Sequence, residues 1–164
     1  MKREMRRQDR NITDSTEIAA VMEECHIINV GIQDGEGVYV VPLHFGYEQI
    51  DGTYFFYSHS ATEGRKIDLL KDPTAVGFEM FCNVNLIVAE KACGYGSTFK
   101  SIMGEGTASL LKDRKQKEHA LQQIMKHYTE KTDWEIPAVM LDKISIICIE
   151  AKEISAPRPT PRAT

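Results

Sequence analysis

Residues Tyr57-Ser58-His59-Ser60-Ala61-Thr62-Glu63-Gly64-Arg65-Lys66 carry the densest chemistry of the chain. An aromatic, strand-forming run ends in hydroxyls, a glycine and two adjacent cations, and Ile67, Leu69 and Leu70 then give the next segment an apolar side. This order predicts a strand, a polar turn and a helix from about Thr62 to Lys71. Hydroxyl donors, the N–H groups of a first helical turn, Arg65 and Lys66 would together cradle an anion such as a phosphate. The same residues would equally make a capped helix with solvated cations. His59 stands where strand gives way to turn. There it would face a cleft and exchange a proton near neutral pH, or it would bond a backbone carbonyl from a half-buried position.

The elements that must position these residues read as follows. Asp14 with Glu17 forms a capping box for a helix from about Ser15 to Cys25, whose apolar positions are Ile18, Val21 and Met22. Ile27–Ile32 and Val38–Phe45 are strands around an Asp34–Gly37 turn, and Asp51-Gly52 marks a hairpin before a strand over Thr53–His59. Asp72-Pro73 stops the short helix. Ala75–Cys82, Asn85–Lys91 and Phe99–Leu111 read as further strands, with Gly104 and Gly106 predicting a bulge or a close backbone approach. Asp113–His127 is helical, with Ala120, Leu121, Ile124 and Met125 inward, and Lys143–Ile154 is the last strand. The organisation expected is a basic arm over 1–13, one domain over 14–154 and a Pro-rich tail over 155–164. Antiparallel strands flanked by a few helices point to an α+β barrel. No GxGxxG motif follows a strand, which disfavours a dinucleotide-binding parallel sheet.

The chain has 164 residues and a formal net charge of −4, which excludes the basic face of a dedicated nucleic-acid binder. Lys2, Arg3, Arg6, Arg7 and Arg10 open the chain, but no apolar run follows them, so neither a secretory signal nor a membrane span is expected. Cys25, Cys82, Cys93 and Cys148 form no CxxC pair, so no zinc site is expected. Reduced thiols in a cytoplasm are the expectation, with Cys93, in a Gly-rich polar stretch, the one exposed.

Five blocks in order carry a resemblance: Arg6-Arg7-Gln8-Asp9-Arg10, Tyr39-Val40-Val41-Pro42-Leu43-His44-Phe45-Gly46-Tyr47, Tyr57 to Lys66, Lys100-Ser101-Ile102-Met103-Gly104-Glu105-Gly106 and Met125-Lys126-His127-Tyr128. Together they resemble the nitroimidazole-resistance branch of the pyridoxamine 5'-phosphate oxidase-like, flavin-binding split barrels, from about Met5 to Ile154. The resemblance implies a six-stranded antiparallel split β-barrel with flanking helices. It implies a homodimer with one flavin mononucleotide (FMN) per subunit at the subunit interface.

By the same resemblance Val41, Pro42 and Leu43 lie against the flavin ring, and the Tyr57, Ser58, His59 and Ser60 strand end lies near it. Lys66 and then Arg65 hold the phosphate, and Glu63 and Gly64 beside them also belong to the cofactor site. Lys100 and Ser101 sit on a second contacting strand, and His127 and Trp134 lie near the cofactor. The residues alone leave other readings open for these positions. A Pro-containing stretch suits any edge strand. Lys100 and Ser101 suit the outward side of a long strand, His127 suits a helix C-terminal cap, and Trp134 suits a packing anchor. The implied activity is FMN-dependent reduction of small aromatic or nitroheterocyclic acceptors, with His59 as proton donor. The alternatives are an FMN-binding protein without catalysis and a haem-binding barrel with His59 or His127 as axial ligand.

Overall fold

Every strand pair in this protein is antiparallel, and the seven strands form one sheet in the order Gly37–His44, Ile27–Asp34, Thr74–Ile87, Gly96–Leu111, Ser145–Ser155, Thr53–Ser60, Gly46–Ile50. The computed structural model describes residues 11–157. Its elements are α1 (Ser15–Glu24), β1 (Ile27–Asp34), β2 (Gly37–His44), β3 (Gly46–Ile50), β4 (Thr53–Ser60), α2 (Arg65–Leu69), β5 (Thr74–Ile87), β6 (Gly96–Leu111), α3 (Arg114–Thr129), α4 (Ala138–Leu141) and β7 (Ser145–Ser155). The resemblance implies six strands and the residues themselves read as seven ranges; seven are found, but two of the expected ranges merge into β5 and one strand is added. The added one is β3, because the strand expected to end at Phe45 bends there and resumes at Gly46.

That bend closes the barrel. The two edge strands, β2 and β3, are consecutive in the chain and separated only by Phe45. A twisted sheet whose opposite edges share one residue has to curl, and β2 comes into contact with β4 across the gap. Alternation along each strand then divides the side chains. Ile28, Val30, Ile32, Val41, Leu43, Phe56, Val76, Phe78, Met80, Ile147 and Ile149 fill the interior, together with Ile18, Val21 and Met22 of α1. A second, smaller core forms outside the sheet, where Ala120 and Ile124 of α3 cover Tyr57, Ile146 and Cys148.

Local signals explain most boundaries. Asp14 accepts the Glu17 amide at 2.9 Å and Asp113 accepts the Gln116 amide at 3.1 Å, so both long helices start at a side-chain cap. Asp51 (φ 49) and Gly52 (φ 82) both take the left-handed conformations that a two-residue hairpin loop needs. Gly104 and Gly106 fill both of their expected roles. The β6–β7 register shifts between Glu105 and Gly106, and an added Cβ would come within 2.4 Å of the Phe78 ring at Gly104 or of Glu150 O at Gly106. The separate Asn85–Lys91 strand is instead the continuation of β5. A bulge at Asn83 (φ 54) carries the chain on without ending it.

The expected Thr62–Lys71 helix shrinks to the single turn of α2, because Gly64 at φ 127 lies outside helical geometry. The parts of the two expected arms that are described pair with each other: Ile12 N–H donates to Ala156 O at 2.7 Å, and Asn11 bridges Pro157. The basic residues of the N-terminal block lie outside the described residues. Among the described residues, no helix is long and apolar enough to cross a membrane.

The corner at Phe45 is held from several sides. Phe45 is fully buried. The α3 backbone rests directly on Gly46, where a Cβ would lie 2.3 Å from Ile124 N. His127 of α3, also buried, has Nδ1 2.6 Å from Phe45 O and Nε2 3.1 Å from Met22 O. Tyr128 Oη donates to His26 O at 2.5 Å.

Gly46→Ala should therefore lose about 3 kcal/mol in chemical denaturation, since the methyl would run into the α3 backbone at Gln123 and Ile124, which cannot give way as a side chain can. His127→Ala should lose about 2 kcal/mol by orphaning a buried carbonyl and opening a void. Unchanged midpoints in both variants would contradict this packing. The thiols offer a further check. Burial raises the Cys25 thiol pKa, with Cys82 adding to the effect, and burial followed by the Glu150 and Glu48 charges pushes Cys148 up to about 11. At pH 8 both are protonated thiols, and Cys25 is shut from water, so alkylation followed by mass spectrometry should modify the exposed Cys93 quickly and Cys25 only after unfolding.

Candidate functional site

The Tyr57–Lys66 block does not face one cleft. Along β4 the alternation sends Ser58 and Ser60 inward, both buried, while Tyr57 and His59 point to the outer side. Tyr57 is covered by α3 and donates its hydroxyl to Glu48 at 2.7 Å, so it stands inside the second core. His59 is exposed, one residue before the end of β4. Ser60 Oγ is buried without a hydrogen-bond partner among the described residues.

Glu63 and Gly64 are exposed on the turn that follows. Gly64 opens α2 with no side-chain cap, and a one-turn helix has little dipole to offer. Any anion site here rests on side chains and the turn. The two cations differ sharply. Arg65 places Nε 2.7 Å and a terminal nitrogen 2.6 Å from Asp34 Oδ2, and its guanidinium lies 4.5 Å from the centre of the Tyr39 ring. Its fork is occupied by this chain's own groups. Lys66, half-buried beside it, has no ion pair or hydrogen bond among the described residues. Asp34 and Tyr39 are the residues that sequence reasoning missed, since each looked like an ordinary turn or strand position.

The β2 block is divided in the same way. β2 is an edge strand, as a Pro inside it required, and Pro42 is exposed opposite Asn29. Val41 and Leu43 are core residues with 8% exposure each, which corrects the expectation of a three-residue face against a ring: only Pro42 and backbone are presented outward.

Lys100 and Ser101 lie far from the cradle within one chain. Thr74, bonded to Leu69 O at the foot of α2, and Cys82, opposite Lys100, stand at opposite ends of the inner part of β5, roughly 26 Å apart at strand rise. Lys100 is engaged by Glu24 at 2.7 Å, which lowers the Glu24 pKa and raises that of Lys100, chiefly through that bond in each case. Ser101 is buried. His127 is the buried clamp of the Phe45 corner, with both ring nitrogens directed at backbone carbonyls. Trp134 folds back on α3: its indole N–H donates to Thr129 Oγ1 at 3.1 Å, and its backbone pairs with the Gln122 amide in both directions. It is the packing anchor of that loop.

One surface exposes a group of large apolar side chains. The β5–β6 hairpin runs on past Cys82 and presents Phe81, Val84, Leu86, Val88, Tyr95 and Phe99, each between 45% and 69% exposed. Beside it the outer face of β2, β1, β5 and β6 holds a concavity of about 770 Å³. Val38 and Val40 stand on its rim, and Gly31 and Gly77, paired across β1 and β5, make a floor without side chains. Within the hairpin group Phe81 and Phe99 adjoin edge-on, with 6.4 Å between ring centres.

Solved structures share this architecture. A proposed 5-nitroimidazole antibiotic resistance protein of Bacteroides thetaiotaomicron is 28% identical, with 89% of this chain and 84% of that one covered and a TM-score of 0.74. The flavocytochrome Anf3 of Azotobacter vinelandii is 19% identical, with 95% and 74% covered and a TM-score of 0.73. The FAD and haem binding protein of Mycobacterium smegmatis is 12% identical, with 94% and 77% covered and a TM-score of 0.80. At these last two identities the likeness is one of fold alone. No curated protein is significantly similar in sequence. The sequence profile of the pyridoxamine 5'-phosphate oxidase family matches residues 14–158, nearly all of the described chain, and the chain belongs to that family.

Proposed function

We propose that two copies of this chain hold FMN between them and act as an oxidoreductase on small aromatic or nitroheterocyclic acceptors. The observation that carries the reading is Lys66, a half-buried lysine with no partner among the described residues, next to an arginine already neutralised by Asp34. A phosphate on Lys66 would gain a charge-assisted contact without breaking an internal one. The glycine floor between β1 and β5 admits a flat ring against backbone. The exposed hairpin residues would be covered by the second copy, which would also bring its Lys100 end toward the first copy's cradle.

Flavin, when bound, supplies the two-electron chemistry. The chain's own share is to anchor the phosphate through Lys66 Nζ, to keep water off the ring with the hairpin, and to present a proton from the exposed imidazole of His59 to the reduced acceptor. A second reading takes its support from the two structural relatives named for haem or as a flavocytochrome. In this chain it falls to His59, because both ring nitrogens of His127 are directed at backbone carbonyls.

The visible spectrum of the purified protein decides between them. Flavin bands that bleach under a reductant are expected, and a Soret band would overturn the flavin reading. The flavin released on heating should have the mass of FMN and not of FAD. Flavin bands that no donor bleaches would leave binding without catalysis.

Lys66→Ala should weaken FMN binding by about 1.5–3 kcal/mol with no change in melting temperature. Arg65→Ala should instead cost about 0.5 kcal/mol of stability, the worth of an exposed pair, and leave FMN affinity nearly intact. Equal affinity in wild type and Lys66→Ala would remove Lys66 from the site. Light scattering should give a dimer, and Leu86→Glu with Val88→Glu should produce monomers that have lost FMN. A flavin-bearing monomer would sink the interface site. His59→Ala should slow reoxidation of reduced protein by a nitro compound and leave melting unchanged. A large fall in melting temperature with normal reoxidation would make His59 structural.

A further inference from the structure

We propose that the cavity between α3 and the outer side of the sheet is a second ligand site, one that takes a small molecule with an aromatic body and a cationic amine head, the ammonium resting on Glu48. This cavity of about 460 Å³ lies on the α3 side of the sheet, away from the Gly31–Gly77 floor, and its size is that of a small-molecule site. Phe55, Leu111 and Cys148 supply apolar walls, and Tyr57 lines the same space. Nothing in this assignment depends on the flavin reading.

The polar end is built. Glu48, whose side chain is only 19% exposed, accepts the Tyr57 hydroxyl at 2.7 Å on Oε1 and lies 2.7 Å from His119 Nε2 on the same oxygen. Oε2 takes no hydrogen bond among the described residues. A carboxylate largely withdrawn from water with one oxygen uncommitted favours a cation, since desolvating it unpaired is costly. Its field is felt by its neighbours: burial and then the Glu48 bond raise the Tyr57 phenol, and burial followed by the Glu150 and Glu48 charges raises Cys148. Lys115 and Gln116 stand at the mouth, both exposed. A lysine there is screened by solvent and weighs less than the carboxylate inside. An aromatic ring seated between Phe55 and Leu111 would also meet Tyr57, which itself stacks edge-on with His119 at 6.2 Å between ring centres.

The probe is tryptammonium, with tryptophol as its neutral analogue and indole-3-propionate as the anionic one, titrated calorimetrically into the full chain as purified. Tryptammonium should bind at least about tenfold more tightly than either analogue, and Glu48→Gln should lose that same factor, the worth of one charge-assisted contact. Gln116→Trp, at the exposed mouth, should block entry without touching the buried carboxylate. It decides the matter alone if Glu48→Gln does not fold. Any flavin spectrum should stay unchanged through the titration. Equal affinity for the three probes, no binding of tryptammonium, a perturbed flavin spectrum or undiminished binding in the variants would each overturn the assignment.

Discussion

The bend at Phe45–Gly46 is the constraint on which the rest of the structure depends. It turns one long strand into both edges of the sheet, and so converts an open antiparallel sheet into a split barrel. The chemistry of the two residues makes the bend possible. Phe45 drives into the core, in contact with Phe56, Tyr47 and His127, while Gly46 leaves room for the α3 backbone. His127 then addresses Phe45 O and Met22 O together, so α1, the corner and α3 are tied at one point. A neutral imidazole can donate to only one of those carbonyls at a time.

Because the interior is filled by apolar side chains from every strand, chemistry is displaced to the outside. Strand alternation enforces this, since each residue handed to the core removes its neighbour from the core. Val41 and Leu43 go inward and Pro42 outward. Ser58 and Ser60 go inward, and His59 outward. A contiguous block of sequence is therefore never a contiguous surface in such a barrel. The surfaces that do form gather alternate residues from several strands, as the Gly31–Gly77 floor does from β1 and β5 and the Glu48–Tyr57 pair does from β3 and β4.

This is also why some features were legible in the sequence and others were not. The Asp14 and Asp113 caps, the Asp51-Gly52 hairpin, the edge position of Pro42 and the close approaches at Gly104 and Gly106 each depend on local chemistry, and each appears where the residues put it. Strand β3 was missed although the Asp51-Gly52 hairpin turn needs a strand ahead of it, which Gly46–Ile50 supplies. The signal was present but hidden by the apparent end at Phe45. The single turn of α2 was overextended because Ile67, Leu69 and Leu70 imitate helical periodicity, while the φ of Gly64 is invisible in a sequence. His127 at a helix end was compatible with a cap or a cofactor. Only the fold brings two carbonyls to it from 82 and 105 residues away in sequence.

Arg65 and Lys66 show most plainly what sequence cannot assign and geometry can. Adjacent helical positions point about 100° apart, so one of the two had to leave any shared target. The fold retains Arg65, whose planar fork matches the Asp34 carboxylate and whose face suits the Tyr39 ring. It leaves Lys66, a compact ammonium on a flexible stem, unclaimed among the described residues. The residue better suited to gripping a phosphate in two places is thus used for structure, tying α2 to the β1–β2 hairpin. The residue left for a ligand is the one that binds as a point charge, without demanding a fixed approach. A cradle of that kind would hold a phosphate firmly in position yet loosely in orientation, so the alignment of whatever the phosphate carries must come from the surface beside it.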